Sequence, residues 1–198
     1  MRFFVERIFA LTVKRYLLLC SVAALACFDI FSPMRVSATT ESKQPERPNF
    51  NGTWALDQNA SNSLEPLMQK IGATLLDRKL ATVAALKATF HQTEDVVTVA
   101  TRAPGFALDE TLYLDGVIHQ SNIELLGGTT LNSRAVWSKD QQQLIAFYQI
   151  KTKEGKQGQL IIKRYLINGM KSEGVVFTLK LNGQPDEISV RQIWYKQA

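Results

Sequence analysis

The chain has 198 residues, 45% of them apolar and 21% charged. That is enough for one ordinary domain beside a targeting segment, and it excludes disorder as the default state. The formal net charge of +5 is concentrated at the N-terminus, and the rest has no basic cluster able to neutralise a row of phosphates, which excludes nucleic acid as a partner.

Residues 1–38 hold Arg2, Arg7, Lys14, Arg15 and Arg35 against Glu6 and Asp29, so the remainder is close to balanced, at +2. Tyr16–Phe28 is an apolar run of thirteen residues, short of the roughly 20 that a spanning helix needs. Val36-Ser37-Ala38 then offers small residues for cleavage. This order reads as a signal peptide over residues 1–38, cut after Ala38, with a secreted or periplasmic product. An uncleaved anchor, or a lipid on Cys27 after Ala24-Leu25-Ala26, would instead hold the protein at a membrane. Both cysteines, Cys20 and Cys27, lie in this segment. No disulfide framework or cysteine metal site can exist beyond it. Thr39–Pro48 reads as a polar linker.

Phe50–Asp57 alternates as a first strand, with Phe50, Gly52, Trp54 and Leu56 on one face. Ser63 is placed as the N-cap of a short helix with Pro66 in its first turn, Leu64, Leu67, Met68 and Ile71 on one face, and Gly72 at its end. Leu76, Leu80 and Val83 continue at helical spacing in a second helix. An αα-hairpin that packs is favoured over a DNA-reading motif, because the flanking chain lacks phosphate-binding charge.

From Ala88 onward the chain reads as strand and turn. Expected strands are Ala88–Gln92, Val96–Arg102, Ala107–Leu114, Val117–Ile123, Thr130–Ser138, Leu144–Lys151, Leu160–Ile167, Val175–Leu181 and Ile188–Tyr195. Turn signals such as Asp115-Gly116, Asn168-Gly169 and Asn182-Gly183 separate several of them. With the first strand this makes about ten at near-regular spacing, an antiparallel sandwich or barrel without βαβ units.

The helical pair is more specific. Met68, Gly72, Arg78, Lys79 and Ala81 form Met-x3-Gly-x5-Arg-Lys-x-Ala, and the pattern runs on through Asp95 and Val96–Val99. Together with Phe50-x-Gly-Thr-Trp-x-Leu and Ile162-Lys163-Arg164, it resembles the intracellular fatty-acid-binding proteins of the calycin superfamily, to which the lipocalins also belong. The resemblance covers most of residues 49–198. It implies a mostly β chain, a ten-stranded antiparallel up-and-down β-barrel with a two-helix lid, holding a fatty acid or similar hydrophobic molecule.

In that family an arginine of the Ile-Lys-Arg segment and an Arg-x-Tyr pair near the C-terminus hold the ligand carboxylate. The first corresponds to Arg164, which alternation puts on the same side as Ile162. The second departs: Gln192 and Trp194 stand where Arg-x-Tyr belongs, and a shift by one residue would turn Arg191, Ile193 and Tyr195 inward instead. A fatty acid specifically is therefore in doubt. Other expected cavity residues are Met68, Leu76 and Leu80 from the lid, Val97, Val99 and Thr101 from one hairpin, and Val175, Phe177 and Leu179 from another.

Little suggests catalysis. His91 and His119 lie on separate strands without metal-ligand spacing, so no metal and no cofactor is expected. Asp109 and Glu110 are adjacent and point to opposite faces, a poor acid/base pair. Gly127-Gly128 lacks the Lys-Ser/Thr of a phosphate loop. The expected function is an exported, monomeric, non-enzymatic carrier or scavenger. The alternative is a structural or protein-interaction module of the cell envelope with a filled interior. An enzyme would need an inward carboxylate or histidine with a shifted pKa, and no clear candidate is visible in the sequence.

Overall fold

The computed structural model describes residues 46–198 apart from residue 84. The signal segment read over 1–38 and the linker up to residue 45 lie outside the described residues, as do the side chains of Leu80 and Val83. The order is β1 (Gly52–Leu56), α1 (Glu65–Ile71), α2 (Leu75–Val83), β2 (Lys87–Gln92), β3 (Val96–Ala103), β4 (Phe106–Tyr113), β5 (His119–Gln120), β6 (Glu124–Leu125), β7 (Gly128–Trp137), β8 (Leu144–Lys151), β9 (Gln157–Ile167), β10 (Ser172–Leu181) and β11 (Glu187–Lys196).

All the strands join one antiparallel sheet in the spatial order β4-β3-β2-β1-β11-β10-β9-β8-β7-β5, with β6 also on β7. Each hairpin pairs with the next, and β1 pairs with β11, Leu56 opposite Trp194, to join the two ends of the chain. The expected barrel of ten strands is present and nearly closed, its gap lying between β4 and β5. The strand expected over Val117–Ile123 is instead broken into β5 and β6, which lie end to end along β7. The Ser121 N–H to Leu131 and the Thr130 N–H to Ile123 carbonyl bonds bridge the break. The two pieces occupy one strand position, so eleven segments make ten positions around the ring.

Alternation explains which side is in. On β8, Leu144, Ala146, Tyr148 and Ile150 are buried while Gln149 and Lys151 are exposed. On β10, Glu173, Val175, Phe177, Leu179 and Leu181 are buried, and the outward row is more open. These inward rows and the lid residues Leu67, Met68 and Ile71 form one contiguous apolar core. Burying such side chains, each worth roughly 1.5–3 kcal/mol, is the main stabilising contribution.

The entry to the first strand seals the end away from the lid. Phe50 and Trp54 are fully buried. The Trp54 indole N–H donates to the Phe50 carbonyl at 2.8 Å, and Phe50 stacks on Trp137 with centroids 6.2 Å apart. Gln92 ties this entry down: its Oε1 accepts from the Phe50 N–H at 2.9 Å, and its Nε2 donates to the Pro48 carbonyl at 3.0 Å.

At the opposite end, α1 begins at Glu65, with Leu64 rather than Ser63 in the cap position. Ser63 still contributes, because its hydroxyl accepts from the Glu65 N–H at 3.1 Å. Gly72 ends the helix with φ of 90°, a left-handed conformation that favours glycine. Gly127-Gly128, expected to be a plain loop, is the seat of the lid. A Cβ at Gly128 would lie 2.6 Å from Ile71 Cγ2, and one at Gly127 would lie 2.7 Å from Ala73 Cβ. Hydrogen at those positions lets the lid reach the barrel rim.

Candidate functional site

Strand register builds a polar centre inside an otherwise apolar barrel. One inward row runs Arg164 on β9, Val175 on β10 and Gln192 on β11. The adjacent row runs Leu166, Glu173 and Trp194 on the same three strands. Arg164 and Glu173 are therefore diagonal neighbours on one face. Arg164 Nη1 donates to Glu173 Oε1 at 2.9 Å, and Glu173 is fully buried. The guanidinium also lies over Phe90 of β2, 5.0 Å from the ring centroid, so this side chain bridges from β9 to the opposite wall.

A second carboxylate faces the same group. Glu110 on β4 stands opposite Val99, and Val99 stands opposite Phe90. The residue is partly buried, yet its Oε1 is shut off from solvent. Burial raises its pKa, opposed by a hydrogen bond from Tyr148 and the attraction of Arg164. Burial likewise raises the Glu173 carboxyl above its ordinary value, with Arg164 acting in the opposite direction. The Tyr148 hydroxyl is raised by its own burial and by the negative charge of Glu110.

Four buried polar atoms of this centre have no protein partner: Glu110 Oε1, Glu173 Oε2, Gln192 Oε1 and Trp194 Nε1. Three are acceptors and one is a donor. Leaving such atoms unmatched costs about 1–3 kcal/mol each, and register sets those of Glu173, Gln192 and Trp194 on neighbouring inward positions of β10 and β11, while Thr130 Oγ1 and Trp137 Nε1 are also unmatched on β7.

The residues expected from the sequence, Leu80 apart, fall into three groups. Arg164, Gln192 and Trp194 meet at this centre. Met68, Val97, Val99, Val175, Phe177 and Leu179 are buried in the inner wall or lid, and Thr101 is half-buried on the inner row of β3. Two others are corrected. Arg191 is exposed on the outer face, because Val190, Gln192 and Trp194 fix the inward parity of β11 and leave Arg191 and Tyr195 outside. Leu76 is 67% exposed, because α2 sets its half-buried Arg78 and Ala81 toward the protein and leaves Leu75 and Leu76 in solvent. The Leu80 side chain lies outside the described residues.

Sequence reading missed Glu110, Glu173 and Tyr148. It also missed that inward carboxylates with raised pKa are present. The usable signal was parity: Glu173 is in step with Val175 and Phe177, and Glu110 with Leu108 and Leu112. Asp109 and Glu110 point to opposite faces, as expected, and Asp109 faces out, where it pairs with Arg102. His91 is exposed and His119 pairs with Asp115 on the outside at 3.0 Å. Among the described residues no cluster of three His, Cys, Asp or Glu could hold a metal ion.

Two clefts lie outside the barrel wall. One of about 110 Å³ is lined by Ile118, Arg134, Phe147 and Gln159. The other, about 390 Å³, lies between α1 and the β8–β9 and β10–β11 turns, lined by Gln69, Lys70, Lys156 and Gln184.

No family model and no curated protein matches the chain in sequence. Solved structures do match in fold. The apo lipid binding protein 8 of Caenorhabditis elegans is 15% identical, with a TM-score of 0.57 over 75% of this chain and 95% of that one. A REP1-NXSQ fatty acid transporter is 16% identical, with a TM-score of 0.56 over 75% and 96%. Human cRBP IV is 16% identical, with a TM-score of 0.55 over 76% and 99%. At these identities the likeness establishes the fold, a fatty-acid-binding-protein-like barrel.

Proposed function

We propose that the chain is an exported, non-enzymatic carrier or scavenger that holds one apolar or amphiphilic small molecule inside the lidded barrel. One observation supports this above the rest: unmatched polar atoms converge around Arg164 at the bottom of an apolar interior. A few convergent polar groups in an apolar surround are what orients a small ligand. Two of the similar structures are named for lipid binding and fatty acid transport. The export part of the reading rests on the basic, apolar and small-residue order of residues 1–38.

The test is native mass spectrometry of the chain purified from its own source, followed by titration of the delipidated protein with Nile red. A co-purifying lipid, or saturable one-to-one binding of the dye, is the expected result. A second reading, a filled barrel serving as an envelope interaction module, is favoured by one fact: both clefts described above lie outside the wall. It predicts that no lipid travels with the protein and that the dye does not saturate.

A further inference from the structure

The centre described above is built to repel the head group that a fatty acid would bring. Arg164 faces two carboxylates, Glu110 and Glu173, while Lys196, at an inward position at the end of β11, is exposed and lies over Trp54. The Arg164 guanidinium is already engaged by Glu173 at 2.9 Å and seated on Phe90. An incoming carboxylate would have to share that guanidinium with Glu173 and lie close to its negative charge in a surround where charges are poorly screened. The unmatched atoms give the complementary requirement. Glu110 Oε1, Glu173 Oε2 and Gln192 Oε1 need donors, while Trp194 Nε1 needs an acceptor. A hydroxyl supplies one donor and an acceptor, and an ammonium supplies three donors and the charge that two carboxylates favour.

Resting on the carrier reading, we propose that the interior ligand is a long-chain amphiphile whose head donates hydrogen bonds and bears no negative charge, an alcohol or an amine, and that fatty acids are excluded. Selectivity arises from both the unmatched acceptors and the repulsive element. Burial raises both carboxyl groups, so the preferred head follows their ionisation: an amine is favoured once they give up their protons, and the repulsion of an anion weakens while they keep them.

The experiment uses the delipidated full chain and competes Nile red with hexadecanol, hexadecylamine and hexadecanoate, which share one tail. The alcohol or the amine is expected to bind at least about tenfold more tightly than the acid, and which of them leads identifies the head. In Glu173→Gln, which frees Arg164, hexadecanoate should gain about tenfold. Glu110→Gln leaves the Arg164–Glu173 pair in place, so it serves where Glu173→Gln does not fold, and hexadecylamine should there lose affinity relative to hexadecanol. Wild-type binding of hexadecanoate as tight as that of the other two overturns this inference and leaves the carrier reading standing. Failure of the dye and all three competitors to bind overturns the carrier reading, and this inference with it.

Discussion

Arg164 and Glu173 stand diagonally on adjacent strands, both turned into the barrel, and the 2.9 Å between Nη1 and Oε1 makes each the counter-ion of the other. Arg164 thus already has a counter-ion within the protein itself. Exchanging one member of such a pair differs greatly from exchanging both.

Glu173→Ala is expected to cost about 3–5 kcal/mol, because it leaves a buried guanidinium without its partner. The double variant Arg164→Met, Glu173→Leu should recover most of that loss, since apolar side chains can fill the same volume. Urea denaturation measures both. A double variant as unstable as the single one would show that the pair is not the source of the loss.

Stability should rise as the solution is acidified from neutrality toward the ordinary glutamate value of 4.5. Glu110 and Glu173 are raised in the folded state, so the folded protein binds their protons more tightly than the unfolded chain does. Their contribution is complete below the unfolded value and is lost as pH rises through the folded one. Asp77, held down chiefly by the Thr74 hydroxyl, and Asp140, held down chiefly by the Ser138 hydroxyl, have the opposite sign. They favour the fold above the ordinary aspartate value of 3.8 and stop doing so as pH falls through their lowered values. Thermal melts across this range should therefore pass through a maximum, and Glu110→Gln should flatten its neutral side.

Gly158→Ala should destabilise by about 1–3 kcal/mol, and by more than Gly174→Ala. A Cβ at Gly158 would lie 2.5 Å from the Lys180 carbonyl oxygen, which belongs to the sheet and cannot step aside. A Cβ at Gly174 would meet the Tyr165 ring on the outer face, and a ring there can swing away. Equal Tm losses in the two variants would contradict this ranking.

Gln92→Ala should cost about 1–3 kcal/mol, since the Phe50 N–H and the Pro48 carbonyl lose their partner together. Hydrogen exchange should quicken at Phe50 before it changes in β8 or β9. Uniform quickening across the barrel would mean that the entry segment does not act as a separate seal.

Strand positions were legible wherever one face was uniformly apolar. Leu144–Lys151 has the bounds read from its alternation, and Arg164 faces inward in step with Ile162, as expected. The break between β5 and β6 was not legible, because Val117–Ile123 is bounded at both ends by β-branched apolar residues and reads as one segment, and only pairing along β7 reveals that the middle is bridged by loop backbone. Leu76 misled because a helix of nine residues offers more than one apolar stripe, and packing against the rim selects among them. Glu110 and Glu173 escaped notice for a different reason. A carboxylate is assumed to face water, so its agreement in parity with Leu112 or Val175 is easily set aside. The charged centre is thus where sequence habits fail, and it is also where the proposed ligand's head would sit.

The seam between β1 and β11 joins residues 54–56 to residues 194–196. A ribosome releases the first of these long before the last, so the ring cannot shut on an unfinished polypeptide. Pairings this remote are also slow to form compared with a hairpin. Until β11 has been made, the apolar inner faces of the completed hairpins are open to other chains. Loss of the final ten residues should accordingly yield a sticky, unrolled sheet instead of a smaller barrel.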